Sequence, residues 1–150
     1  MAQITVSGGQ GQPPVQLSYT SDINAGVAQQ LLQVITQLSG GFDLFQNGGQ
    51  ANATGKAGIV VAGPQPTTVI GGGSTVQSVV AGSSGLTYSV ATGNSTVVTG
   101  GGQNLIAFGT GNDQAVSGGN DTVIAGSGTD TIFATGNELA FGGNGSLFFI

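Results

Sequence analysis

From residue 59 onward, short apolar triplets recur every eight to ten residues, with Gly, Asn, Ser and Asp in the gaps. Their central residues read Val60, Val69, Val79, Tyr88, Val97, Ile106, Ala115, Val123, Ile132, Ala140 and Phe148, in steps of 9, 10, 9, 9, 9, 9, 8, 9, 8 and 8. A unit this short cannot bury an apolar side alone. It must stack on its neighbours, so a regular step of this size predicts a solenoid. The chain is thus expected to be mainly β, a parallel β-solenoid. Residues 59–150 form the repeat, and residues 1–58 form an N-terminal docking or capping region of the same structural unit.

Side chains of a strand alternate between its two faces, so the triplets can be read as columns. The middle column is apolar and mostly β-branched and is expected to point inward. The preceding column (Thr68, Ser78, Thr87, Thr96, Gln114, Thr122 and Thr131) is largely hydroxyl-bearing and is expected to face water. The following column should also face out, yet it is Ile70, Val80, Val98, Val116, Ile124, Phe133, Phe141 and Phe149. Monomers rarely expose a large continuous apolar patch. This column is therefore the predicted interface for a homo-oligomer or homopolymer. The other reading puts some triplets at the corners of a three-sided coil, with both residues pointing in. The apolar ending Leu147-Phe148-Phe149-Ile150 points the same way, towards a continuing chain, a partner subunit or a fibre.

One helix is expected, over residues 21–38. Ser21 suits the N-cap and Asp22 the positive end of the helix dipole. Ile23, Val27, Leu31, Val34, Ile35 and Leu38 share one face, and Gly40-Gly41 ends the segment. This amphipathic helix should pack on the solenoid or cap it, or meet a partner in an assembly. Upstream, residues 3–7 and 15–20 alternate as strands, forming either a hairpin or a first rung. Residues 42–45 should return the chain to the sheet, and residues 46–56 read as a polar loop.

Composition removes several function classes. The chain has 30 Gly in 150 residues, one Lys, no Arg, no His and no Cys, and a net charge of −5. With a single cation there is no basic patch, so neither nucleic acid nor an anionic membrane surface is an expected partner. Without His or Cys there is no Ser–His or Cys–His dyad and no ordinary zinc site. The acids could be imagined as a glycosidase pair, but they lie in turns of a regular repeat, without a Trp platform. No enzyme activity is expected. No apolar run reaches membrane-spanning length, so no membrane insertion is expected. Residues 1–14 lack the basic and apolar segments of a cleaved signal peptide, so any export should leave the N-terminus intact. An ice-binding role, suggested by the Thr column, is weakened by Leu105 and Gln114, which interrupt it.

Residues 109–141 resemble the RTX nonapeptide β-roll, whose pattern is G-G-x-G-x-D-x-U-x. Gly126, Gly128, Asp130 and Ile132 fit it, with Ala125 at the first Gly. Gly109, Gly111, Asp113 and Ala115 make a second copy, and Gly118, Gly119, Asp121 and Val123 a shortened third. Gly142, Gly143 and Gly145 keep the glycines without the acid, and residues 59–108 keep the period without any Asp. The resemblance implies a β-roll holding Ca²⁺ between turns. Asp113 and Asp130 would lie on one edge and Asp121 and Glu138 on the other, each pair 17 residues and so one coil apart. Ca²⁺ takes roughly 6–8 hard oxygen ligands. The bland alternative is that Asn112-Asp113 and Asn120-Asp121 are simply good turn residues. Because most of the repeat lacks Asp, the roll should fold without calcium. The resemblance also implies export without a cleaved signal, to the cell surface or beyond. The expected function is therefore a secreted, self-assembling subunit of an extracellular fibre, sheath or surface layer. The alternative is a display or translocation domain of a larger type I-secreted, calcium-binding protein.

Overall fold

The computed structural model describes residues 1–7, 13–37, 41–52, 56, 58–71 and 77–150. The chain opens with an antiparallel hairpin, β1 (Ala2–Val6) and β2 (Val15–Tyr19), in which Ile4 faces Leu17. One helix follows, α1 (Asp22–Gln37). Ser21 caps it: its hydroxyl oxygen accepts from the Ile23 N–H at 3.2 Å and its carbonyl from the Ala25 N–H at 3.2 Å. The expected positions Leu38 and Gly40 lie outside the described residues. Gly41, immediately before the next strand, has φ +61°, a conformation that favours glycine.

The rest is a parallel β-solenoid of about six turns. Its strands are β3 (Phe42–Phe45), β4 (Gly49–Asn52), β5 (Gly58–Val61), β6 (Thr67–Ile70), β7 (Gln77–Ala81), β8 (Leu86–Ser89) and β9 (Ser95–Val98). They continue as β10 (Leu105–Ala107), β11 (Thr110–Gly111), β12 (Gln114–Ser117), β13 (Asn120–Ile124), β14 (Ser127–Ala134), β15 (Asn137–Phe141) and β16 (Ser146–Phe149). Each coil gives one strand to each of two sheets. The six-stranded sheet runs β4-β6-β8-β10-β13-β15, and the eight-stranded one runs β3-β5-β7-β9-β12-β14 with β16 on β14 and β11 at the corner. The coil is thus two-sided, a flattened roll. Stacking starts at Phe42, upstream of the repeat's first legible triplet. The segment 46–56, read as a loop, contains β4, whose Ala51 is buried against the core. A single Ala between Gln50 and Asn52 is too weak an apolar signal to mark a strand.

The inward columns close one continuous core. On the six-stranded sheet it takes Ala51, Val69, Tyr88, Ile106 and Val123, and on the other Ile59, Val79, Val97, Ala115 and Ile132. Two positions differ from the sequence reading. Ile59, not Val60, points in, because all of Ile59-Val60-Val61 is apolar and pattern alone cannot choose. At the last coil Phe149, not Phe148, stacks on Ile132, and Phe148 stacks on Thr131.

The glycines follow from stacking. At Gly126 an added Cβ would run into the carbonyl of Gly109, and at Gly143 into that of Gly126. Glycine there lets one turn lie directly on the next. Gly109, Gly111, Gly128 and Gly145, which also carry the RTX resemblance, lie against backbone carbonyls of the preceding coil in the same way and so serve the stack itself.

The hairpin and α1 lie together on the outer face of the eight-stranded sheet. Val60, Val80 and Val98 point outward from the roll but are buried beneath Leu17, Tyr19, Ala25, Ala28, Leu32 and Ile35. Each such Val stabilises the docking by roughly 1.5–3 kcal/mol. The buried stripe of α1 is rotated from the expected one. Asn24, Ala25, Ala28, Leu32 and Ile35 face the sheet, while Ile23 and Val34 are 56% and 54% exposed. Small side chains let the helix approach closely. Gly58 on β5 makes room in turn, since an added Cβ would sit 2.8 Å from the Ile35 side chain.

Candidate functional site

Two features could carry function: the acidic corners and the outer face of the six-stranded sheet. The corners come first, because the strand register builds them. Asp113 and Asp130 stack in one column, between Ser95 and Leu147, and Asp121 and Glu138 stack in the other, above Asn104. Both pairs are therefore one coil apart.

The carboxylates are turned to the backbone. Asp113 Oδ1 accepts from the Ser95 N–H at 2.6 Å, and Asp130 Oδ1 accepts from the Asp113 N–H at 3.1 Å. On the other edge Asn104 Oδ1 accepts from the Leu86 N–H at 2.8 Å. Asp121 Oδ1 then accepts from Asn104 twice, from N–H at 3.0 Å and Nδ2 at 2.8 Å, while the Thr99 hydroxyl donates to Oδ2 at 3.3 Å. The Ser117 hydroxyl donates to Glu138 Oε2 at 2.5 Å. Asn104, Asp113, Asp121 and Asp130 thus bracket the coil below them, satisfying backbone N–H groups that the turn leaves without a strand partner, whereas Glu138 holds the Ser117 hydroxyl. Asn94 and Asn112 work in the opposite sense, accepting from the Asn112 and Thr129 N–H groups of the coil above at 2.9 and 3.1 Å.

Burial raises the affinity of these groups for protons. It pushes the Asp121 carboxyl up to about 6, against the pull of its bonds from Asn104 and Thr99. Glu138 is raised by burial and by the neighbouring Asp121 charge, against the Ser117 bond. Asp113 is raised by burial and by Asp130, against its bond from Ser95.

As a calcium donor set the corners are meagre. Oδ1 of Asp113 and Asp130 and both oxygens of Asp121 are already engaged, and the turn carbonyls of Gly102, Gly109 and Gly119 accept coil-to-coil backbone bonds. Asp113 Oδ2 and Glu138 Oε1 are buried without a partner, but they lie on opposite edges. Among the described residues no three His, Cys, Asp or Glu side chains cluster as metal ligands.

The outward apolar column divides between the two sheets. Val80 and Val98 are fully buried beneath α1 and the hairpin, so they are not available to a partner. Val116 is partly buried against the same cluster, and Phe133 is half-buried on the same sheet. Phe149 falls in the inward register of the last coil, where it is 51% exposed. Ile70, Ile124 and Phe141 stand on the outer face of the six-stranded sheet, and nothing described covers them. That face adds Leu105 and Leu139, which sequence reasoning missed. They occupy the Thr column, in register with Thr122, and Leu105 had read only as an interruption. The two outward columns, from Gln50 to Leu139 and from Asn52 to Phe141, hold no charged residue.

Among the described residues no helix is long and apolar enough to cross a membrane. No family model matches the chain, and no curated protein or solved structure matches it.

Proposed function

We propose that the chain is a structural subunit that associates with copies of itself through the outer face of the six-stranded sheet, in an extracellular fibre, sheath or surface layer. The supporting observation is the uncovered, chargeless face bearing Ile70, Leu105, Ile124, Leu139 and Phe141. Two such faces meet without like-charge repulsion or the desolvation of an ion. The same chain covers the equivalent Val column on its other sheet with a helix and a hairpin. Its extracellular place rests on the RTX resemblance of residues 109–141. The reading assigns no catalytic step.

The second reading is a calcium-binding display or translocation segment of a larger exported RTX-like protein. The buried, unpartnered Oδ2 of Asp113 favours it. Negative-stain electron microscopy in EDTA and in millimolar calcium, with circular dichroism alongside, separates the two. The first reading expects ordered assemblies in both buffers, an unchanged β signal in EDTA, and dispersed but folded particles for Ile124→Asp. Dispersed wild-type particles in both buffers refute self-assembly. A β signal that collapses in EDTA favours the calcium segment.

A further inference from the structure

At two corners of the roll the glycine that stacking requires follows an asparagine. The steps are Asn47-Gly48, just before β4, and Asn144-Gly145, just before β16. A Cβ on Gly48 would sit 2.6 Å from the Gln65 side chain and 2.9 Å from the Pro66 carbonyl, and Gly48 has φ +69°. A Cβ on Gly145 would run into the carbonyl and the N–H of Gly128. Close approach of the coils thus fixes glycine at both positions. Glycine is also the residue that least shields its own amide nitrogen from the side chain before it.

The other asparagines are held or differently followed. Asn24, Asn94, Asn104, Asn112, Asn120 and Asn137 each have a side-chain hydrogen bond, and none precedes glycine. Asn52 precedes Ala53. Asn47 and Asn144 are exposed, and no described hydrogen bond holds their side chains. The N–H groups of Gly48 and Gly145 have no described acceptor. Each step therefore joins a free carboxamide to a free, unshielded backbone nitrogen.

We propose that Asn47 and Asn144 are sites of spontaneous deamidation, with water as the only co-reactant. Hydroxide takes the proton of the glycine N–H, and the nitrogen attacks Cγ of the asparagine. The Cγ–Nδ2 bond breaks, and ammonia leaves with a proton from water, closing a five-membered succinimide. Water then opens the ring at Cγ, giving Asp, or at the main-chain carbonyl carbon, giving a β-linked isoaspartate. One amide and one water become one carboxylic acid and one ammonia, with no change of oxidation state. Each event adds a negative charge to a chain of net charge −5. The β-linkage lengthens the main chain by a carbon, which would lift Gly145 off Gly128, where not even a Cβ fits. The folded chain therefore opens the ring at Asn144 towards Asp.

The full chain is incubated at about pH 8, folded in buffer and unfolded in urea, with circular dichroism checking each state. Peptide mapping by mass spectrometry locates deamidation, and isoaspartyl methyltransferase labelling measures the β-linked product. The expected result is conversion at Asn47 and Asn144 of the folded chain, at rates within about tenfold of those in urea, while the hydrogen-bonded asparagines stay intact. The isoaspartate share at position 144 should be lower folded than unfolded. Asn47→Gln and Asn144→Gln, which would need a slower six-membered closure, should each abolish conversion at their own position with unchanged circular dichroism. An asparagine that converts in urea but stays intact in the folded chain overturns the assignment at that position. Equal conversion at the hydrogen-bonded asparagines overturns the argument from free side chains, and equal isoaspartate shares overturn the one from stacking.

Discussion

Taking the Asp121 carboxylate out of water leaves it with three donors, two from Asn104 and one from Thr99. These bonds do not fully replace its hydration, so its folded pKa of about 6 stands above the ordinary 3.8. The folded state therefore holds the proton more tightly than the unfolded one. That contribution is complete below about pH 4 and is lost as pH rises through about 6, amounting to at most ~3 kcal/mol for a shift of two units. Glu138 and Asp113 move in the same direction. Thermal unfolding followed by circular dichroism should give a higher Tm at pH 4 than at pH 7.5, and Asp121→Asn should flatten the difference. A Tm that falls on acidification would mean that the bonded carboxylates stabilise the coil as anions. Adjacent positions should respond in opposite ways to a new charge. Val123 is fully buried and Ile124 is 41% exposed. Val123→Asp should abolish the folded β signal, since a buried unpaired charge costs several kcal/mol. Ile124→Asp should stay within about 1 kcal/mol of wild type, and chemical denaturation of both checks the in/out assignment.

At the scale of elements, α1 has one position that works against it. Gly26 lies in the helix interior, is exposed, and has nothing within 4 Å of where a Cβ would sit. Gly26→Ala should stabilise the chain by about 1 kcal/mol and raise Tm by roughly 3 °C, read from thermal melts. If it does not, the helix is held by docking and its intrinsic propensity is irrelevant. The helix also illustrates how far the sequence could be read. Its existence, its Ser21 cap and its docking on the solenoid were legible, because periodicity and capping are local. Its buried stripe was not. Ile23 and Val34 looked like core, but the sheet beneath favours the small Ala25 and Ala28 together with Asn24. The amide of Asn24 donates to the Thr99 carbonyl at 2.9 Å and accepts from the Thr135 hydroxyl at 2.9 Å. Polar partners from distant coils leave no periodic trace. The strand columns were legible for the same reason that the cap was, except where three apolar residues in a row, as in Ile59-Val60-Val61, removed the alternation. The corner acids were placed on the right edges by their 17-residue spacing. Their use as backbone brackets depends on side-chain direction, which spacing does not encode.

For the molecule as a whole, the six-stranded face grows more apolar along the stack. Its first three coils present Gln50 and Asn52, Thr68 and Ile70, and Thr87 and Ser89, and the last three Leu105 and Ala107, Thr122 and Ile124, and Leu139 and Phe141. Six strands of four residues cover roughly 30 Å by 13 Å, about 400 Å². That is half of the ~800 Å² per partner typical of a stable pair. One contact between two copies is therefore too small to hold alone, and assembly through this face requires many contacts acting together. Association should consequently set in above a threshold concentration, with monomers below it and large species above, as sedimentation velocity across a dilution series would reveal. The contact joins chargeless surfaces, so raising NaCl from about 0.05 to 0.5 M, which shortens screening from over 10 Å to below 5 Å, should leave the threshold nearly unchanged. Phe141→Asp should remove assembly, while Asn52→Asp, at the polar end of the face, should shift it far less. A threshold that moved strongly with salt, or equal sensitivity at both ends, would place the contact elsewhere on the molecule.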